Sequence, residues 1–406
     1  MNGPPPRHIG AVRSALAAAA LAATLGACSS TSTSASLDTS TTWALPLSTS
    51  VTTPSGVWTT LAMGHLQDPL NTFWQLPFRP TGASSWTNQV KATGTATNGG
   101  LVLAANGKDL AVAVRPSVDL TYTPLISTTD GGLAWSTGLI DEAITATPSA
   151  LALGPSGQAT AITASSAGGK AIPGGNVIAT NGSLSSWKTI ESLQSFDSTQ
   201  AGRVCAAHSF NAVAYAGNST VVGASCTNPG STGLFVSTSN GWVPTGPAIN
   251  GIAHLTVTAL ALRPAPGGSG VAALLGVTGP KGAAPHLVAA WSADGLTWQE
   301  SPSIALRSTD AVVSFGAASG NDLFVITRGP GTSLVAYTVA GPGSNWTTLP
   351  PVPPGTATLA AGHGGTLEAL AVKGTALRIW TLNPSAGTWV DSQTINVNIQ
   401  YGSSNP

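Results

Sequence analysis

Thr128-Thr129-Asp130-Gly131-Gly132-Leu133-Ala134-Trp135 is the stretch on which the reading of this chain turns. An Asp side chain can bond the backbone amides of its own turn, Gly supplies positive φ, and a closing Trp packs the turn onto a sheet. Those roles fall on Thr128, Asp130, Gly132 and Trp135. Ser292-Ala293-Asp294-Gly295-Leu296-Thr297-Trp298 is a shorter version, with the same roles on Ser292, Asp294, Gly295 and Trp298. Eroded versions end at Trp187 (ATNGSLSSW), Trp242 (STSNGW) and Trp389 (PSAGTW).

Outward from these turns the tryptophans form a series: Trp86, Trp135, Trp187, Trp242, Trp298, Trp346 and Trp389, with gaps of 49, 52, 55, 56, 48 and 43 residues. A repeat of this length marks an array of similar units. Upstream of each Trp runs strand, turn, strand, loop, strand. The second unit reads Leu101–Ala105, Asp109–Val114 and Tyr122–Ser127, and the sixth Ala311–Ala317, Asp322–Thr327 and Ser333–Val339. With a short strand at the Trp, each unit has four strands, which is the make-up of a propeller blade. The expected fold is all-β: a seven-bladed β-propeller of four-stranded blades over 56–406. A β-sandwich pair or a β-helix would not require so even a spacing. The first unit (Val57–Met63, Thr72–Phe78 and the Trp86 strand) lacks an inner strand. The alternating segment Thr394–Gln400, TINVNIQ, is expected to supply it and close the ring, leaving no open edge.

The two well-formed turns resemble the Asp-box, S/T-x-D-x-G-x-x-W, found in sialidases, sortilin-type receptors, some endoglucanases and many bacterial propellers. These families share the box and not the chemistry, so the resemblance implies a propeller and leaves function to the site. In such blades the boxes lie on one face. Inter-blade loops and loops from second to third strand share the other, which usually binds ligands. The candidate ligand face carries Arg115, Tyr122, Glu142, Arg203, His208, His254, Arg307 and Arg328. Lys188 to Ser209 is the longest loop and a candidate contact element.

A sialidase-like glycoside hydrolase is the enzymatic alternative. Sialidases use three arginines on the substrate carboxylate, a Tyr–Glu nucleophile pair and an Asp acid/base. Arg115, Arg203, Arg307 and Arg328 offer arginines, and Tyr122 and Glu142 share their face. Phe78-Arg79-Pro80 resembles the F-R-I-P start of the sialidase domain without its Ile, and no Tyr follows the arginines in the right place. Asp141-Glu142 is the one adjacent acidic pair. Hydrolysis needs two carboxylates about 5 Å or about 6.5–9.5 Å apart, and sequence neighbours usually point apart. No catalytic residue is assigned.

The N-terminus carries its own message. Arg7 and Arg13 precede an apolar run, Ala15 to Gly26, too short to span a bilayer. It ends in Leu25-Gly26-Ala27-Cys28, which resembles the bacterial lipobox. The resemblance implies a lipoprotein signal peptide over 1–27 and lipid on Cys28, anchoring the chain to the extracytoplasmic side of a membrane. Residues 28–55, rich in Ser and Thr, read as a disordered tether. In an exported chain Cys205 and Cys226 are by default a disulfide, with two free buried thiols as the alternative.

Composition closes off other classes. Charged residues make up 7% of the 406 residues, and Lys+Arg and Asp+Glu balance at 15 each. There is no basic field for nucleic acid. The histidines show no metal-binding spacing, no cofactor motif occurs, and no metal or cofactor is expected. The expectation is a monomeric, non-catalytic binding or scaffold protein of the cell envelope, with a glycan, a peptide or an envelope protein as ligand.

Overall fold

The computed structural model describes residues 49–397, apart from 65–71, 90–99, 107–108, 115–122, 142–147, 168–169, 181, 266–269, 280–282 and 319–321. Cys28, Arg115, Tyr122 and Glu142 lie outside the described residues. So does the signal-peptide and tether sequence before residue 49. Among the described residues no helix is long and apolar enough to cross a membrane.

The protein is an all-β propeller, and its strands fall into antiparallel groups along the chain. The first group holds Ser50–Thr53, Gly56–Thr59, Pro77–Pro80 and Thr87–Asn88, and the hairpin Leu61–Gly64 with Thr72–Gln75 continues its middle strands. The second holds Leu101–Ala105, Leu110–Val114, Thr123–Thr128 and Ser136–Ile140. The third holds Ala150–Leu153, Ala159–Ala167, Lys170–Thr180 and Lys188–Ser192. A nine-stranded sheet follows. Its early part is Ala207–Ala216, Ser219–Cys226, Leu234–Thr238 and Gly241–Thr245. Its late part is Thr256–Pro264, Val271–Thr278, His286–Ser292, Gln299–Glu300 and Ile304–Ala305. The pairing of Ser225 with Thr258 joins the two parts. After it come Ala311–Ala317, Leu323–Arg328, Leu334–Val339 and Thr347–Thr348, and lastly Thr356–Ala361, Leu367–Lys373, Ala376–Asn383 and Thr388–Asn396.

The core lies between groups. Each hydrophobic cluster draws on two of them: Trp58 and Phe78 of the first pack with Leu103 and Val112 of the second. Val102 and Ala113 of the second pack with Leu151 and Ala161 of the third. The same arrangement runs along the chain. It ends with Ala360, Leu370 and Ile379 of the last group packed on Val57, Leu61 and Met63 of the first. The chain is therefore a closed cycle of sheet-on-sheet contacts. Strands such as Leu110–Val114, LAVAV, are buried along their whole length. Alternating Ala with larger aliphatics lets neighbouring sheets approach closely on both faces.

The closure differs from the sequence expectation. Thr394, Ile395 and Asn396 pair with Arg378, Leu377 and Ala376, so they lengthen the outer strand of the last group. Residues 398–400 lie outside the described residues. The inner strand of the first group is instead Ser50–Thr53, paired with Gly56–Thr59 through a tight turn. That stretch reads as tether because Ser and Thr dominate it. Val51 is nonetheless buried among Trp58 and Leu101. The hydroxyl of Thr53 bonds Gly56 O and accepts from Trp58 Nε1, so its polarity is satisfied inside.

Side chains seal the join between first and last groups. Trp86 Nε1 donates to Glu368 Oε2 at 2.7 Å, and Arg79 Nε lies 3.4 Å from the same oxygen. Arg79 also donates to Ala83 O and Ala361 O and sits over the Trp86 ring. The Gln393 amide bonds both the N–H and the carbonyl of Trp86.

The Asp-turns form as the residue types dictate. Thr128 Oγ1 donates to Asp130 Oδ1 at 2.8 Å and accepts from Gly132 N at 2.9 Å, while Asp130 accepts from Ala134 N. In the second turn Asp294 Oδ1 accepts from Leu296 N and Thr297 N, both at 2.8 Å, and Ser292 Oγ accepts from Gly295 N. Both glycines have positive φ, and each faces the preceding group. A Cβ on Gly132 would come within 2.9 Å of Trp58, and one on Gly295 within 2.9 Å of Val221.

Some of the closing tryptophans reach further, while the indoles of Trp135 and Trp187 bond carbonyls of their own turns, Gly132 O and Leu184 O. Trp298 Nε1 reaches Thr245 Oγ1 at 3.0 Å, Trp346 Nε1 reaches Pro302 O at 3.0 Å and Trp389 Nε1 reaches Pro350 O at 3.3 Å. Thr245 lies in the early part of the nine-stranded sheet whose late part carries Trp298, Pro302 lies between Gln299–Glu300 and Ile304–Ala305 of that sheet, and Pro350 follows Thr347–Thr348. The repeat is a set of fasteners.

Candidate functional site

Within each group the chain meanders from a first strand beside the central channel to an outer strand. Loops from second to third strands and from one group to the next therefore leave at one end of the sheets. The Asp-turns leave at the other. The first end is the candidate ligand face.

Its most built element follows the third group. Two short helices, α1 (Leu193–Ser198) and α2 (Gln200–Cys205), fill the connection to the nine-stranded sheet. Ser192 and Thr199 cap them, through bonds from Ser195 N and Gly202 N. Phe196 is buried and meets Phe210 and Phe235 edge-on. Cys205 at the end of α2 forms a disulfide with Cys226, at the end of the second strand of the next group. Thr227 and Asn228 add bonds back to Cys205 O, Ala206 O and Arg203 O. The element is thus tied down from below. Its outer surface presents Arg203 and Val204, the latter 46% exposed. Burial raises the pKa of Asp197 on the same element, and a hydrogen bond from the Ala207 amide partly offsets it.

His208, His254, Arg307 and Arg328 are exposed around the same end. Among the described residues no hydrogen bond or ion pair joins any two of Arg203, His208, His254, Arg307 and Arg328. The structure does gather Arg307 with Asp310 and Tyr337. The Arg307 amide bonds Asp310 Oδ2 at 3.1 Å. The Tyr337 hydroxyl is pushed up mainly by burial, further up by Asp310 and back down by Arg307. Arg79 of the Phe-Arg-Pro segment is not on this face. It is 5% exposed and committed to Glu368 and backbone carbonyls, so it serves the join between groups. Among the described residues no group of three or more His, Cys, Asp or Glu side chains is placed to hold a metal.

One residue with an unusual environment is not singled out by sequence. Arg263, near the end of the strand Thr256–Pro264, lines a narrow cavity in the channel and is 5% exposed. Its Nε bonds Pro264 O at 3.3 Å, and its Nη1 is buried with no hydrogen-bond partner among the described residues. Burial lowers its pKa to about 10, so it is still a cation at neutral pH. In sequence the only trace is a single Arg closing an otherwise uncharged strand, TVTALALRP.

No protein-family model and no curated protein matches this chain. Solved structures do resemble it. A protein from Lactobacillus plantarum superposes with a TM-score of 0.50 at 10% identity, over 83% of this chain and 96% of the other. The fungal lectin of Aleuria aurantia, a six-bladed β-propeller that recognises fucose, gives a TM-score of 0.42 at 16% identity, over 75% and 95%. YCF48 bound to a D1 peptide gives 0.43 at 13% identity, over 81% and 91%. At these identities the likeness concerns the fold alone.

Proposed function

We propose that this chain is a seven-bladed β-propeller of the bacterial cell envelope, lipid-anchored through Cys28, that acts as a non-catalytic binding or scaffold protein. The blade count follows if the nine-stranded sheet is two blades sharing the Ser225–Thr258 pairing. The cycle of inter-group hydrophobic clusters supports it. The Asp-box reading draws support from the hydroxyl–Asp–amide pattern in the turns at Asp130 and Asp294.

The observation that carries the binding reading is the α1–α2 element. A disulfide, two helix caps and a buried aromatic cluster hold it rigid, and it lifts Arg203 and Val204 into solvent. Pre-ordering a contact surface lowers the entropy cost of binding. A ligand of glycan, peptide or envelope-protein type would meet a cation and an apolar side chain there. A photo-crosslinking residue at Val204 should capture a partner on cells, and one at Leu133, on the opposite face, should not. Equal capture at both positions, or none at Val204, contradicts the proposal. Turnover of a fluorogenic sialoside that is lost in Arg203→Ala or Arg307→Ala would replace binding with the glycosidase alternative. For the anchor, Cys28→Ala should move the protein from the membrane to the soluble fraction. Unchanged membrane retention rules the anchor out.

A further inference from the structure

We infer that the central channel holds a small monovalent anion, of halide or carboxylate class, against Arg263. This site is independent of the binding reading above and sits at the other end of the channel, where the first strands finish.

A guanidinium is positively charged at every ordinary pH, and burying a charge without a partner is costly. Arg263 is 5% exposed, and its Nη1 finds no acceptor among the described residues. The ion pairs among those residues are Arg79–Glu368 and Arg378–Asp391, so no described carboxylate neutralises Arg263. Its Nη1 passes 3.1 Å from where a Cβ on Gly316 of the neighbouring first strand would stand, although the Phe324 ring, 2.4 Å from the same point, is what chiefly requires a glycine there.

The cavity it lines is otherwise nearly apolar, walled by Leu103, Leu151, Val213 and Leu262. Asn211 also faces it, with its amide nitrogen already engaged by Ser225 Oγ and Ala259 O. An apolar wall strengthens any electrostatic contact inside. The first strands of the second and third groups are edges of their sheets, so backbone amides on their channel side have no strand partner. Such amides supply further donors to an anion. Size limits what can enter. The cavity is about 40 Å³, room for a few waters or a small anion and not for a sugar ring.

The test uses the purified full chain. Thermal unfolding is followed at constant ionic strength while sodium gluconate, whose anion is too large for the cavity, is replaced by sodium chloride or by sodium formate. The inference expects a saturable rise of the midpoint with at least one small anion. The anion that acts at lower concentration names the class. Arg263→Met should fold and lose the response, because an apolar side chain of similar length replaces the buried charge. A wild-type midpoint indifferent to both anions, or an equal response in Arg263→Met, overturns the inference. Crystals of the wild-type protein soaked in bromide keep the test decisive if the variant does not fold. An anomalous peak within hydrogen-bonding distance of Arg263 Nη1 supports the site, and no bromide there together with no added density there in formate-soaked crystals refutes it.

Discussion

The indole Nε1 of Trp86 donates a 2.7 Å hydrogen bond to Oε2 of Glu368, and that bond ties the first strand group to the last. The two residues lie 282 positions apart. Burial pushes the Glu368 carboxyl above its usual range, while the Trp86 bond and the Arg79 charge pull it back. Trp346 and Trp389 make the equivalent reach to the group before them. For Trp86 the group before is the last in the chain. Among the described residues, side chains therefore make the join between the first and last groups, and no strand of one enters the sheet of the other.

The first prediction concerns the C-terminus. Thr394–Asn396 belong to the outer strand of the last group, and Ser50–Thr53 already supplies the inner strand of the first, so closure is expected without the residues after Val397. A chain ending at Val397 should unfold at the same temperature as the full chain in a thermal scan. A fall of several degrees would show that the tail takes part in closure.

Removing the disulfide should loosen the ligand face. Cys205 and Cys226 are 21 residues apart, and a cross-link of that span contributes roughly 3 kcal/mol. Replacing both by Ser should lower stability by about that much in urea titrations. Limited proteolysis should then cut first within α1–α2, while the sheets stay protected. Cutting at unchanged sites and rates would mean that the aromatic cluster around Phe196 holds the element without help.

Acid should weaken the Asp-turns. The backbone amide of Ala134, then the Thr128 hydroxyl, hold the Asp130 carboxyl below its ordinary value of 3.8. Thr297 and Leu296 amides, then Ser292, do the same for Asp294. A carboxyl depressed in the folded state adds stability that is complete above its unfolded value and fades as the pH falls through the lower, folded one. The wild type should therefore lose stability below pH 3.8 from this source. Asp130→Asn with Asp294→Asn should be less stable at neutral pH and show a shallower decline in acid. Parallel acid curves for the two proteins would contradict the assignment.

Much of this fold is legible in the sequence because local chemistry dictates it. Leu101–Ala105 and Ala311–Ala317 run as strands over the residues that pattern alone selects. The Asp130 and Asp294 turns are closed by bonds within a few residues. What pattern does not reveal is pairing over distance. TINVNIQ alternates as a strand should, but alternation does not name its partner. Ser50–Thr53 is hidden for the opposite reason. Its hydroxyl-bearing residues look solvated until the hydrogen bonds of Thr53 are seen. The candidate face is legible in the sequence as a placement more than as a site. Arg203, His208, His254, Arg307 and Arg328 are exposed, and among the described residues no hydrogen bond or ion pair joins any two of them. Arg263 could not be recognised at all, since its strand position says nothing of an unpaired guanidinium in a channel.

The closing bond itself offers the sharpest test. A double-mutant cycle with Trp86→Phe, Glu368→Gln and the combined variant, measured by urea unfolding, isolates the energy shared by the two side chains. Closure through them predicts a coupling of about 1–3 kcal/mol. Effects that add to within about 0.5 kcal/mol would show that the first and last groups do not meet at this bond, and the side-chain closure would be wrong.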